Sequence, residues 1–202
     1  MGSGLIFGPI GPNTIHLCVD MQLLFGPGSP WAVPWMEGIM PQLEELSARH
    51  AAATIFTRFI PPHRPSEMQG TWRQYYERWR DVTLEVMPPE MVRLVPVLER
   101  LTPPARVLDK KVYSPWTEGG LDRMLQGTGV DTLVVSGGET DVCVLGAMIG
   151  AVDRGYRVIL AEDATCSSAD ETHDAMLRLY HDRYGQQIET AKVEEILSAW
   201  NG

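Results

Sequence analysis

Cysteine is scarce in these 202 residues: Cys18, Cys143 and Cys166 are the three present, and no two form a CxxC pair. That excludes a disulfide framework and a zinc ribbon, and points to a reducing cytoplasm as the compartment. Basic residues are outnumbered, with 17 Lys and Arg against 26 Asp and Glu and a formal charge of −9. Nucleic acid or an anionic membrane needs a basic face, so neither is expected as a partner. A small uncharged or cationic substrate suits the field better. No apolar run approaches the length that spans a bilayer. The stretch Met1–Asn13 carries no basic residue ahead of a long apolar core, so it does not read as a secretory signal. Internal repeats, low-complexity tracts, HExxH, GxSxG, a P-loop and a complete GxGxxG are all missing.

What is present is an ordinary globular balance, 44% apolar and 21% charged. The length suits a single domain over residues 1–202 with a sizeable core. Short apolar runs predict strands at Thr14–Asp20, Ala53–Thr57, Arg106–Asp109, Thr132–Ser136 and Arg157–Ala161, and a last strand is expected around Gln187–Glu189. Helical patterns lie between them: through Met40, Leu43, Leu46 and Ala48, then at Leu121–Leu125, Val142–Asp153, Asp170–Tyr180 and Val193–Trp200. Alternating strands and helices predict a three-layer α/β/α fold with a doubly wound, mostly parallel sheet of six strands. Residues 60–89 interrupt this order with five prolines and four aromatics, Trp72, Tyr75, Tyr76 and Trp79. Such an excursion is long for a plain connection. A helix from about Thr71 to Val82 is expected there, covering a site, meeting another subunit, or simply packing on the core.

Ligands of open parallel sheets bind beyond the carboxyl ends of the strands. The residues at those ends are Asp20, Thr57-Arg58, Lys110 and the segment Gly137–Cys143. A carboxylate, a lysine and a cysteine thus reach one rim from three strands. Cys143 follows two glycines and the helix-capping types Thr140 and Asp141, which places it in a helix's first turn, where the dipole favours a thiolate. A small buried hydrophobe is the other reading of that cysteine. Asp20 is either a loop anchor or an acid/base, and Lys110 either solvated or functional.

Taken together, Leu17–Gln22, Asp109–Trp116 and Ser136–Val144 resemble the isochorismatase-like cysteine hydrolases, which include nicotinamidases and N-carbamoylsarcosine amidases. The likeness continues through Ala151–Val158 and Glu162–Ala164, in order, over most of the chain. It implies a triad of Asp20, Lys110 and Cys143. The lysine is Lys110 rather than Lys111, because the family lysine precedes an aromatic-Ser pair by three positions, here Tyr113-Ser114. It also implies a non-proline cis peptide at Gly138–Glu139 and an oxyanion hole from the backbone N–H groups of Glu139 and Cys143. Phe25 matches a pocket aromatic, and Gln22, Trp116 and Val142, inside the matching motifs, are expected beside it.

There are departures. Nicotinamidases carry an Asp-x-His metal cluster where this chain reads Phe59-Ile60-Pro61; His63 alone supports no metal, and neither metal nor cofactor is expected. True isochorismatases lack the nucleophilic cysteine. Glu139 is bulkier and more acidic than the family's small residue, and either faces the pocket to select a cationic or hydrogen-bonding substrate or supplies backbone alone. The implied reaction is hydrolysis of a C–N bond in a small amide, ureido or lactam-like molecule through a thioester, with the Cys143 pKa depressed. Isochorismatase-type enol-ether hydrolysis, a non-catalytic role and a redox-sensing cysteine are the alternatives. A histidine partner for Cys143 is disfavoured, since none of His16, His173 and His181 sits at a strand end. A homo-oligomer, dimer or tetramer, is expected, with Trp72 or Trp79 near the interface or the pocket mouth.

Overall fold

A computed structural model describes residues 4–200; Met1 to Ser3 of the N-terminal stretch read above lie outside them. Six strands form the sheet: β1 (Thr14–Val19), β2 (Thr54–Phe59), β3 (Arg106–Lys110), β4 (Thr132–Gly138), β5 (Arg157–Cys166) and β6 (Ile188–Ala191). Their spatial order is β3-β2-β1-β4-β5-β6, and every pairing is parallel. The helices are α1 (Met40–Arg49), α2 (Gly70–Arg78), α3 (Pro96–Glu99), α4 (Gly120–Leu125), α5 (Cys143–Val152), α6 (Asp170–Asp182) and α7 (Val193–Ala199).

Both faces of the sheet are covered, which is why β1 and β4 are buried throughout instead of alternating. Period two still sorts the side chains. Ile15, Leu17 and Val19 join Leu121, Val144, Met148 and Tyr180 on the side of α4, α5 and α6. Cys18 and Phe56 join Leu43, Leu46, Leu98 and Ile196 on the side of α1, α3 and α7. Each layer fills with the apolar stripe of its own helices.

β5 runs five residues beyond its expected end. A register shift between Val135 and Gly137 lets it continue, pairing Gly137 with Thr165 and Gly138 with Cys166. Gly137 lies at φ +100, and a Cβ there would sit 2.2 Å from the Val19 carbonyl oxygen. Only glycine lets β4 pass so close to β1. In the 60–89 excursion the helix is shorter than expected, Gly70–Arg78, and buries Tyr76 completely.

The chain winds outward in opposite directions from β1 and β4, so a crevice opens beyond their carboxyl ends. Asp20 is the residue after β1. Cys143 opens the helix after β4.

Candidate active site

Three strands, β1, β3 and β4, deliver Asp20, Lys110 and Cys143 to one point at the carboxyl edge of the sheet. Lys110 Nζ lies 2.6 Å from Asp20 Oδ2, 3.4 Å from Cys143 Sγ and 3.2 Å from the Val112 carbonyl oxygen. All three side chains are buried, with Lys110 at 2% and Asp20 at 1% exposure. Asp20 is the single non-glycine residue at positive φ among those described, at +53. Asp is among the few side chains that tolerate this left-handed region. Its N–H is taken by the Thr57 carbonyl at 3.2 Å and Thr57 Oγ1 at 3.1 Å, and its Oδ1 accepts from the Thr57 hydroxyl at 2.5 Å. Thr57 was legible as a strand end but carried no role in the sequence. The Phe59 ring covers the ammonium, with its centroid 4.8 Å from Nζ.

Burial sets the electrostatics. The Cys143 thiol is pushed well above the ordinary value, first by desolvation and then by the charge of Asp20, while Lys110 pulls it down. This reverses the depressed thiol expected from the helix terminus. Cys143 is indeed the first residue of α5, but the dipole of one exposed turn does not outweigh removal from water. Burial would also lower Lys110; Asp20 and Cys143 together outweigh it and hold the ammonium above its usual value.

The Gly138–Glu139 peptide is cis. Among the described residues, the N–H groups of Glu139 and Cys143 have no hydrogen-bond acceptor, whereas Val142 and Val144 both donate to the Glu139 carbonyl. Neither Thr140 nor Asp141 caps α5: Val142 holds the cap position with no side-chain bond. Thr140 Oγ1 bonds the Cys166 carbonyl at 3.1 Å and His173 Nδ1 at 2.9 Å, and Asp141 accepts from the Ser167 hydroxyl at 2.6 Å. These bonds tie the loop before α5 to the end of β5.

Cys143 lies in the wall of a cavity of about 310 Å³. Phe25 and Val142 line it as expected, together with Glu139, Phe59 and Tyr113. Trp31 comes from the loop after β1, while Tyr75 and Trp79 come from the excursion, which thus roofs the site. Two expected pocket residues are elsewhere. Gln22 is fully buried and spent on backbone: its Oε1 accepts the Phe59 N–H at 2.6 Å, and its Nε2 donates to Phe59 and Val92 carbonyls at 3.1 and 2.9 Å. Trp116 lies under α5, its indole N–H donating to the Ala147 carbonyl at 2.8 Å and its ring stacked 5.7 Å from Tyr156. Both anchor elements of the site without facing the cavity.

An isochorismatase domain model matches residues 14–192. The chain belongs to the isochorismatase family. Maleamate amidohydrolase of Pseudomonas putida is 26% identical over 189 residues, covering 88% of this chain and 84% of that protein. Nicotinamidase 3 of Arabidopsis thaliana is 27% identical over 164 residues, covering 80% and 77%. The crystal structure of a cysteine hydrolase from Pseudomonas syringae superposes with a TM-score of 0.79 at 24% identity, covering 99% and 100%. For this isochorismatase-family chain, the residues present do not fit the metal cluster that the resemblance to nicotinamidases raises. Phe59 and Pro61 are buried side chains without donor atoms, and His63 is exposed. Among the described residues, no three His, Cys, Asp or Glu are grouped to hold an ion. His16 is buried between Thr54 Oγ1 at 3.3 Å and Ser136 Oγ at 2.7 Å, on the opposite face of the sheet from Cys143 and its helix.

Proposed function

We propose that this chain is a cysteine amidohydrolase that cleaves a small amide-type C–N bond through a thioester on Cys143. The observation that carries the reading is the meeting of Asp20 and Lys110 with Cys143, which lines a small cavity while the other two lie buried behind it, 2.6 and 3.4 Å apart through Nζ. A buried carboxylate–ammonium–thiol cluster is expensive unless it works, since each charge loses hydration. The amidohydrolase names of two relatives, from bacterium and plant, favour C–N bonds over enol ethers.

In this scheme Asp20 takes the thiol proton as Cys143 Sγ adds to the substrate carbonyl. Lys110 stabilises the thiolate as it forms, which matters because the resting thiol is held neutral by burial. The unpartnered N–H groups of Glu139 and Cys143 receive the oxyanion. Asp20 returns its proton to the leaving nitrogen, the C–N bond breaks and a thioester remains. Asp20 then deprotonates water, which attacks the thioester; the acid leaves and the sulfur recovers its proton. Water is the one co-reactant.

The test is a panel of primary amides, carbamoyl compounds and lactams, followed by ammonia or amine release and by intact mass. An acyl adduct mapping to Cys143 and silence of Cys143→Ala are the expected results. Full turnover by Cys143→Ala on a verified substrate would overturn the mechanism.

A further inference from the structure

Resting on the amidohydrolase reading, we propose that Glu139 and the aromatic walls select amides whose non-reacting end carries a positive charge. Six rings surround the cavity: Phe25, Trp31, Phe59, Tyr75, Trp79 and Tyr113. Trp31 sits at their centre, 6.2 Å from Phe25, 6.0 Å from Phe59, 5.8 Å from Tyr75 and 6.2 Å from Trp79. At these separations the rings pack on one another, so Trp31 and its neighbours form one continuous aromatic wall, and the faces such a wall turns to the cavity attract alkylated ammonium and pyridinium groups through their quadrupoles.

Charge in the lining has one sign. Glu139 is its sole ionisable carboxylate, and no lysine or arginine lines the cavity. Lys110 behind the wall is already committed to Asp20, Val112 and Cys143. Glu139 Oε1 accepts the Ser168 N–H at 3.0 Å, and both residues line the cavity. Among the described residues no arginine, lysine or histidine forms an ion pair with Glu139. An entering cation therefore meets π faces and an unpaired carboxylate in a partly desolvated space. An entering anion meets the same carboxylate with no cation to answer it, a repulsion that low local dielectric strengthens. The net charge of −9 acts in the same direction at longer range. Because the Glu139 N–H is also the proposed oxyanion donor, the selected charge and the scissile carbonyl would lie within one small molecule.

Three ligands of one shape separate the contributions: 3-carbamoylbenzoate, benzamide and 3-carbamoyl-1-methylpyridinium, carrying an anion, no charge and a cation on the same ring. Affinity for full-length Cys143→Ala is read by titration calorimetry, and kcat and KM for the parent by ammonia release. The pyridinium should bind about tenfold tighter than benzamide, and the benzoate weakest. Glu139→Gln, in the parent and Cys143→Ala backgrounds, should bring the pyridinium within about threefold of benzamide, acting on KM more than kcat. Equal binding of anion and cation, an undiminished preference in Glu139→Gln, or no binding of any ligand at millimolar concentration would overturn the proposal. If the charge order holds in binding while no amide is hydrolysed, the amidohydrolase reading fails and this one stands. Turnover without charge order gives the converse.

Discussion

Thr57 grips Asp20 from the neighbouring strand, donating its hydroxyl to Oδ1 at 2.5 Å and accepting the Asp20 N–H on its own carbonyl at 3.2 Å. With Lys110 on Oδ2, both carboxylate oxygens are held before any substrate arrives. Orientation of the carboxylate proposed as proton carrier therefore depends on a residue outside the proposed reacting groups. Thr57→Val should lower kcat by about ten- to a hundredfold with little change in KM, since a hydrogen bond to a charged group is worth about 1.5–3 kcal/mol. Thr57→Ser keeps the hydroxyl and should recover most of the loss. Equal activity of the valine and serine variants would remove Thr57 from the mechanism.

The opposed effects of Asp20 and Lys110 on one thiol give a split that a merely structural cluster would not show. Asp20 raises the Cys143 pKa and Lys110 lowers it. Asp20→Asn should therefore speed alkylation of Cys143 by iodoacetamide at neutral pH while abolishing amide turnover. Asparagine also tolerates the left-handed backbone at this position. Lys110→Met should slow both reactions. Rates are followed by peptide mass spectrometry, and slower alkylation in Asp20→Asn would contradict the charge assignment. In the parent, alkylation should accelerate as pH rises, because the resting sulfur is protonated.

Strand ends were the readable part of this molecule. Apolar runs located five of the six strands, the sixth being placed around Gln187–Glu189, and the rule for open parallel sheets brought Asp20, Lys110 and Cys143 to one rim before any coordinates. Three matters were not readable. Trp31 and Pro30 enter the cavity from a loop with no periodicity, and Tyr75 from an excursion whose docking depends on the tertiary fold; Trp79 of that excursion, expected at an interface or the pocket mouth, does line the cavity. Gln22 and Trp116 lie inside diagnostic motifs, yet each spends its polar atoms on buried backbone, a demand invisible to pattern. The direction of the thiol shift required its depth of burial, and helix position alone pointed the wrong way. Glu139 was left as pocket group or backbone donor; the structure puts it in the cavity wall beside Ser168.

Metal independence follows from chemistry at the two expected ligand positions. A phenyl ring and a proline offer no lone pair, and Phe59 is occupied in covering Lys110. Incubation with EDTA followed by desalting should leave turnover of a verified substrate unchanged, and added zinc should not raise it. A stoichiometric metal that leaves together with activity would contradict this.

His16 gives the fold an acid limit that is separable from catalysis. Burial, with a smaller contribution from His50, lowers its pKa from 6.5 to about 3. The folded chain thus keeps the ring neutral between Thr54 and Ser136, while the unfolded chain takes up a proton below pH 6.5. In that interval the unfolded state binds the extra proton, so acid favours unfolding. The contribution is intact above pH 6.5 and is lost by about 1.4 kcal/mol per pH unit as pH falls toward 3. His16→Gln retains hydrogen-bonding atoms but cannot titrate. Its stability at neutral pH should drop, because glutamine does not reproduce the ring's shape in a close-packed interior. The informative quantity is the slope. Between pH 4 and pH 6, unfolding free energies from urea titrations should fall less steeply in His16→Gln than in the parent, by about one proton's worth. Carboxylates contribute to both curves and cancel in the difference. Parallel slopes would show that His16 does not set the acid limit.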